Sequence, residues 1–358
     1  MQKSEKKMVF CTLFNSGYLD KGLALLQSLH EVTEDFRLYV VAFDEKCYEI
    51  LSHYLDENLI VIALSDFESP ELLAAKANRT NHEYCWTCSC HTIKYVLERF
   101  NEQQCTYIDA DMYFYYNPRI LFDEIEQSGC DVSIIEHGFI SNKENKRYID
   151  TSGKYCIEFN TFYATENGLK ILNWWCRQCL ECCTAKADGV HFGDQKYLDD
   201  WTERFEGVHV IQNIGAGVAP WNLAKYEYVG KCGKEITLRS KVDKREIPLI
   251  FYHYQQIRYI GINQVDIGVY MYPRNVKLNL RDAIYNDYFR VINKYREELK
   301  NKFGYDMKKN MKYGEKYKCR QMIVDIFKYE RNLFIAACRL WRIFFRKQKD
   351  IMYTNVER

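Results

Sequence analysis

The sequence predicts an α/β fold: a parallel half-sheet followed by a mixed half, flanked by helices. Three observations predict it. Met8 to Leu13 is apolar, β-branched and aromatic without alternation, as a strand buried on both faces would be. Similar runs at Phe36–Phe43, Leu59–Leu64 and Cys105–Ile108 are separated by helical spacing at Leu19–Leu29, Glu45–Tyr54 and Glu83–Phe100. Polar residues follow the ends of three of these runs, at Asn15, Asp44 and Asp109.

The first three elements read as the opening of a Rossmann-like sheet, with Leu23, Leu26, Gln27 and His30 at helical spacing. Later strands are expected at Val132–Glu136, Glu158–Ala164, Val208–Ile211 and Leu249–His253, with a helix around Leu169–Cys183. The final ~75 residues read as helices with basic and aromatic faces. The expected organisation is therefore one large α/β domain over 1–280 and a helical extension over 281–358. Five Pro, 17 Gly and no low-complexity stretch exclude a flexible linker or a disordered region.

Charge divides the chain in the same place. Residues 281–358 hold 20 Lys/Arg against 10 Asp/Glu, whereas residues 1–280 hold 30 against 39. An acidic body without a recognised motif argues against nucleic-acid binding. The apolar run ending at Phe14 is too short for an export signal, and no stretch approaches ~18 apolar residues. With 15 Cys and no export signal, the expected compartment is the reducing cytoplasm.

Ligands of open α/β sheets sit at the carboxyl ends of strands, which puts Asp44 and Asp109 where a nucleotide would bind. Thr106-Tyr107-Ile108-Asp109-Ala110-Asp111-Met112 adds chemistry, because carboxylates at i and i+2 beyond a strand end both reach one cation. Hard oxygen donors suit Mn²⁺ or Mg²⁺, which neutralises a diphosphate. A solvated acidic turn is the bland alternative. The apolar Tyr113-Phe114-Tyr115-Tyr116 that follows favours the metal.

The stretch CTYIDADMYFYYNPRILFDEI resembles the strand, DxD motif, strand and helix of GT-A glycosyltransferases. It is most similar to glycosyltransferase family 8, the nucleotide-diphospho-sugar transferases that include glycogenin and bacterial lipopolysaccharide glycosyltransferases. FCTLFNSGYLDKGLALLQSL is similar to that family's opening, CIEFNTFYA to its Asn-bearing strand, Gly193-Asp194-Gln195 to its GDQ element, and Phe251-Tyr252-His253-Tyr254 to its late metal-binding His. The resemblance covers about residues 8–260. After His253 the chain reads Tyr254-Gln255-Gln256-Ile257-Arg258 and lacks the family's Gly and Lys-Pro-Trp, leaving Gln256 or Arg258 for the diphosphate. Ala219-Pro220-Trp221-Asn222 occurs earlier than the family pattern expects.

The resemblance implies a GT-A mixed sheet and metal-dependent transfer of a sugar, by default from a UDP-hexose, with retention of configuration. It implies Asp109, Asp111 and His253 at the metal, and Asn15, Asp44, Lys94, Asp109 and Arg258 at the donor. Asn160, Asp194 and Gln195 would hold donor or acceptor hydroxyls. An inverting enzyme would need a carboxylate base, for which Asp194 and Glu158 are candidates. Each has a plainer alternative: Asp194 as a helix cap, His253 as a core histidine, Asn15 and Asp44 as turn residues, Lys94 as a surface residue. The competing functions are a sugar nucleotidyltransferase, disfavoured because Asn15-Ser16-Gly17-Tyr18 is not a Gly-rich basic loop, and a catalytically silent sugar-nucleotide-binding module.

Two further features remain. Cys85, Cys88, Cys90 and His91, with Cys176, Cys179, Cys182 and Cys183, invite a metal–thiolate reading, but on helices such spacings only align thiols on one face. Leu333–Lys349 mixes Arg339, Arg342, Arg346 and Lys347 with aromatics. A basic amphipathic helix of this kind suits an anionic membrane surface and a lipid-linked acceptor in surface polysaccharide synthesis, or packing on the domain or a second subunit.

Overall fold

The computed structural model describes residues 7–140, 143–261, 263–272, 276–310, 337, 340–341 and 351–353. Strands β1 (Met8–Phe14), β2 (Phe36–Ala42), β3 (Leu59–Ala63) and β4 (Gln104–Ile108) run parallel. β5 (Met112–Phe114) leaves that sheet directly after the acidic turn. β6 (Val132–Glu136), β7 (Tyr155–Tyr163) and β8 (Val208–Val210) complete it in the order β3-β2-β1-β4-β7-β6-β8, with β7 antiparallel to both neighbours. The sheet is mixed and flanked by helices, as the sequence predicts.

β1 shows why its run does not alternate. Met8, Phe10 and Phe14 pack into one core layer and Val9, Cys11 and Leu13 into the other. Helices α1 (Leu19–His30), α2 (Glu45–Leu51), α3 (Leu64–Phe67), α4 (Pro70–Lys76) and α5 (Asn81–Arg99) connect the parallel strands. Thr80 and Glu83 start α5 with a reciprocal capping box. α6 (Arg119–Ser128), α7 (Lys143–Ser152), α8 (Glu166–Glu181) and α9 (Trp201–Arg204) belong to the second half. α5 and α8 pack against each other over one face of the sheet, and α1 and α6 contribute to the core on the other.

Gly22 lets α1 approach β1. A Cβ there would lie 2.2 Å from Phe14 Cζ, in a ring that is itself buried. Gly22→Ala gains helix propensity worth ~1 kcal/mol, but overpacking the contact costs about 1–3 kcal/mol. The expected outcome is a net loss near ~1 kcal/mol, measured by urea denaturation.

Three smaller sheets follow. β9 (Tyr226–Cys232), β10 (Glu235–Ser240) and β11 (Glu246–Pro248) form an antiparallel meander. β12 (Phe251–His253) pairs antiparallel with β5, and β13 (Arg258–Gly261), β14 (Gln264–Asp266) and β15 (Ile351–Tyr353) form the third. α10 (Leu278–Phe303) and α11 (Met307–Asn310) come between β14 and β15. α10 spans position 280 and is built into the core. Tyr288 stacks on Tyr254 at 3.6 Å between ring centres, and Arg296 meets Asp20 of α1 at 2.7 Å with both side chains nearly fully buried. No helix among the described residues is long and apolar enough to cross a membrane. Most of Leu333–Lys349 lies outside the described residues.

Candidate active site

The site forms where β4 ends beside β1. The Ile108-to-Met112 turn closes with Met112 N–H donating to the Asp109 carbonyl at 3.1 Å, and the chain continues into β5. The β5–β12 register sets His253 opposite Met112, one residue beyond Asp111. Tyr254 N–H then donates to the Asp111 carbonyl at 2.9 Å. Residues more than 140 positions apart are thus fixed together by backbone pairing.

Their side chains converge. His253 Nε2 lies 3.2 Å from Asp111 Oδ1 and 3.5 Å from Asp109 Oδ2. Ligand atoms of all three residues lie within 4.8 Å of one another, as one cation requires. The two carboxylates differ electrostatically. Burial raises Asp109 well above the usual carboxylate range, His253 opposing and Asp111, Asp194 and Glu158 adding to the rise. Burial would raise Asp111 too, but Lys21 and His253 hold it well below that range. Two carboxylate oxygens, of Asp111 and Asp109, and the His253 imidazole nitrogen thus meet at one point, where a cation would draw Asp109 into its ionised form. That donor set fits Mn²⁺ or Mg²⁺.

The triad opens on a cavity of about 630 Å³. Asn15, Asp194 and Gln195 line it with Asp109, Asp111 and His253, so six of the sequence-derived site residues come together. Asp194 is 4% exposed, accepts a short hydrogen bond from Ser89 Oγ, and is pushed by burial up to about 7. Gln195 Nε2 donates to the Ser152 carbonyl and so ties the loop to the end of α7. Gln256 lines the cavity with a left-handed φ of 76°, while Arg258 does not line it and sits half-buried in β13 opposite Asp266.

Three other expected contacts do not reach the cavity lining. Asn160 is fully buried in β7. With its amide nitrogen turned to the Cys156 and Phe159 carbonyls, at 3.0 and 3.2 Å, it stabilises the irregular stretch of that strand. Asp44 spends its carboxylate on Ser16 N and Oγ and on Cys47 N, bracing the β1–α1 loop and capping α2. Lys94 lies on the outer side of α5, 3.8 Å from Glu98. Chain position brings Cα atoms near the site, after β2 for Asp44, within β7 for Asn160 and on α5 for Lys94; side-chain direction and local hydrogen bonding decided these three.

Other residues of the site, on its wall or behind it, carried weaker sequence signals. Lys21, 6% exposed, reaches Asp111 Oδ2 at 3.6 Å; an Asp-Lys-Gly interruption in an apolar helix was its signal. Trp86 stands on the α5 side of the cavity, against His82 and Phe192, and Gly193 with φ 56° fits closely against it. Trp221 packs edge-on to His253 and donates to the His137 carbonyl at 2.6 Å, so the Ala219-to-Asn222 element does shape the site.

Cys85, Cys88 and Cys90 lie on α5 and Cys176 and Cys179 on α8, as expected from helical spacing, whereas Cys182 and Cys183 follow the end of α8 in extended chain. Cys88, Cys90, Cys176, Cys179 and Cys183 are buried. Cys90, His91 and Cys176 do approach ligand distance, but His91 Nδ1 faces the Thr87 carbonyl at 3.0 Å, and burial raises both thiols well above their usual range.

No protein-family profile matches the chain. It is 31% identical over 297 residues to the uncharacterized protein YfnD of Bacillus subtilis strain 168, covering 82% of this chain and 91% of YfnD. The chain belongs to the YfnD family. YfnF of the same strain is 30% identical over 261 residues, covering 72% of this chain and 84% of its own length. Among solved structures, the galactosyltransferase LgtC bound to donor and acceptor sugar analogues aligns at TM-score 0.46 and 16% identity, over 69% of this chain and 87% of LgtC. Mouse xyloside xylosyltransferase 1 aligns at TM-score 0.40 and 15% identity, over 57% and 85%. Likeness at this level does not carry function, which for this YfnD relative rests on its own side chains.

Proposed function

We propose that the chain is a divalent-metal-dependent glycosyltransferase of the GT-A type, transferring a sugar from a nucleotide-diphospho-sugar to an acceptor hydroxyl. The observation that carries this is the convergence of Asp109, Asp111 and His253 within 4.8 Å beside a 630 Å³ cavity at the carboxyl end of β4. When bound, the cation supplies positive charge against the leaving nucleotide diphosphate. Lys21 keeps Asp111 ionised and oriented from behind. Asp194 and Gln195 face the cavity and would hold sugar hydroxyls, and Gln256, which also lines it, would meet the phosphates. UDP-hexose is the first donor to test, and a surface glycan the destination in view.

Of the two carboxylates considered as an inverting base, Asp194 faces the cavity and Glu158 does not. The nucleotidyltransferase alternative needs backbone N–H groups free for phosphate after β1. Here Ser16 N–H donates to Asp44 Oδ2, Gly17 N–H to Asn15 Oδ1 and Tyr18 N–H to the Asn15 carbonyl.

The test mixes purified protein and Mn²⁺ with UDP-, GDP- and other nucleotide-sugars and follows free nucleotide. One donor is expected to be hydrolysed, with turnover lost on adding EDTA and restored by excess Mn²⁺. No turnover of any donor with nucleotide binding retained in calorimetry would leave the silent binding module, and no turnover with no nucleotide binding would leave an unrelated activity in its place.

A further inference from the structure

Glu158 lies in β7 with no exposed surface. An ionised carboxylate there is strongly disfavoured unless paired. Its Oε2 is 2.7 Å from His253 Nδ1, and its Oε1 has no hydrogen-bond partner among the described residues. The opposite nitrogen of the same ring faces Asp111 and Asp109. His253 N–H donates to the Val218 carbonyl at 3.0 Å, so the ring is held from its backbone as well as from both nitrogens. Gly217, with φ 65°, closes on the far side, where an added Cβ would stand 3.1 Å from Glu158 Oε1.

We infer that Glu158 is a positioning residue, which fixes His253 with its proton on Nδ1 and its Nε2 lone pair directed at the cation between Asp109 and Asp111. The inference rests on the metal-dependent function proposed above. An imidazole that ligates a cation is neutral and carries one N–H, and the 2.7 Å contact assigns it to Nδ1. In the other tautomer two lone pairs would face each other across that contact, and Nε2 would carry a hydrogen where a ligand is needed. A carboxylate behind a ligating histidine also raises its basicity, and losing such a partner weakens metal binding about 10–100-fold. The same geometry gives Glu158 a structural reason to be present, although it lies off the cavity lining and so out of position to act on an acceptor.

The experiment measures Mn²⁺ affinity by titration calorimetry for wild type, Glu158→Gln, Glu158→Leu and His253→Ala, with near-ultraviolet circular dichroism to confirm folding. Nitrogen-15 spectra of the histidines in Mg²⁺-loaded protein, where a ligating imidazole is neutral, report the tautomer. Expected are Nδ1-protonated His253 in wild type, affinity about tenfold weaker in Glu158→Gln, and a loss nearer 100-fold in Glu158→Leu. Glu158→Gln keeps the shape of the side chain and carries the test should the leucine variant not fold. Affinities within twofold of wild type in folded Glu158 variants, while His253→Ala loses binding, would overturn the inference alone. Wild type that takes up no Mn²⁺ would overturn the metal reading with it.

Discussion

Asp111→Asn is expected to lower kcat/KM for metal-dependent donor turnover on the order of 10³-fold, since it removes a ligand oxygen and a full charge at the point where the diphosphate leaves. The substitution is isosteric, so the β5–β12 pairing that delivers His253 should survive. What changes is electrostatic. Lys21 loses the Asp111 carboxylate 3.6 Å from its ammonium, and His253 loses the nearer of its two aspartates. Mn²⁺ affinity should fall along with kcat/KM. Asp109→Asn should have a smaller effect on affinity, because Asp109 lies farther from His253 Nε2 and is itself held toward the protonated form. Steady-state kinetics and calorimetry on both variants decide the matter. If Asp111→Asn keeps kcat/KM and Mn²⁺ affinity within about tenfold of wild type, the pair is a structural acidic turn and the catalytic centre lies elsewhere.

How much of this arrangement could be read beforehand depends on what determined each part. β1 to β4 with α1, α2 and α5 were legible because burial on both faces removes alternation and these helices keep a helical period, while α3 and α4, of four and seven residues, are too short to show one. The DxD turn was legible because an apolar strand runs straight into it. Pairing of His253 with that turn was reached only through a family resemblance; the spacing of residues 111 and 253 says nothing about the register of β5 against β12. Position along a strand or just past its end was not enough to predict direction. Asp44 and Asn160 both sit close to the site in the chain path, yet their side chains satisfy neighbouring backbone groups instead of facing the cavity. The meander β9–β11 and the tyrosine-rich core under α10 escaped because their strands are half-exposed or very short, and because α10 is bound through contacts distant in sequence, such as Arg296 with Asp20. Glu158 was visible only as a possible base. Its full burial, which no local pattern reveals, changes its role.

Asp194 supplies a large expected pH effect away from the metal-ligand atoms. Burial pushes its carboxyl up to about 7, while the Ser89 hydroxyl and the backbone N–H groups of Asp194 and Gln195 pull the other way. In the unfolded chain the same group titrates near ~3.9. Between those values the native protein holds a proton that the unfolded chain has released, so the slope of unfolding free energy with pH is negative. The contribution is fully present below about pH 4 and is lost as the pH rises through about 7. At ~1.4 kcal/mol per pK unit, the loss is on the order of 3–4 kcal/mol for a side chain this deeply buried. Asp194→Asn cannot ionise, so it should match wild type near pH 4 and exceed it by roughly 2–4 kcal/mol near pH 8, seen as a pH-dependent gap between paired urea-denaturation curves. Taking the difference between the two proteins removes the titration of Asp109 and the other acids they share. Activity should move in the opposite direction: if the ionised carboxylate receives sugar hydroxyls, wild-type turnover rises through about pH 7 and the asparagine variant stays low without that limb. A gap that stays constant from pH 4 to pH 8 would mean that Asp194 is ionised throughout. The cavity would then be wetter than its burial implies, and Asp194 would serve as a loop cap in place of a sugar-facing acid.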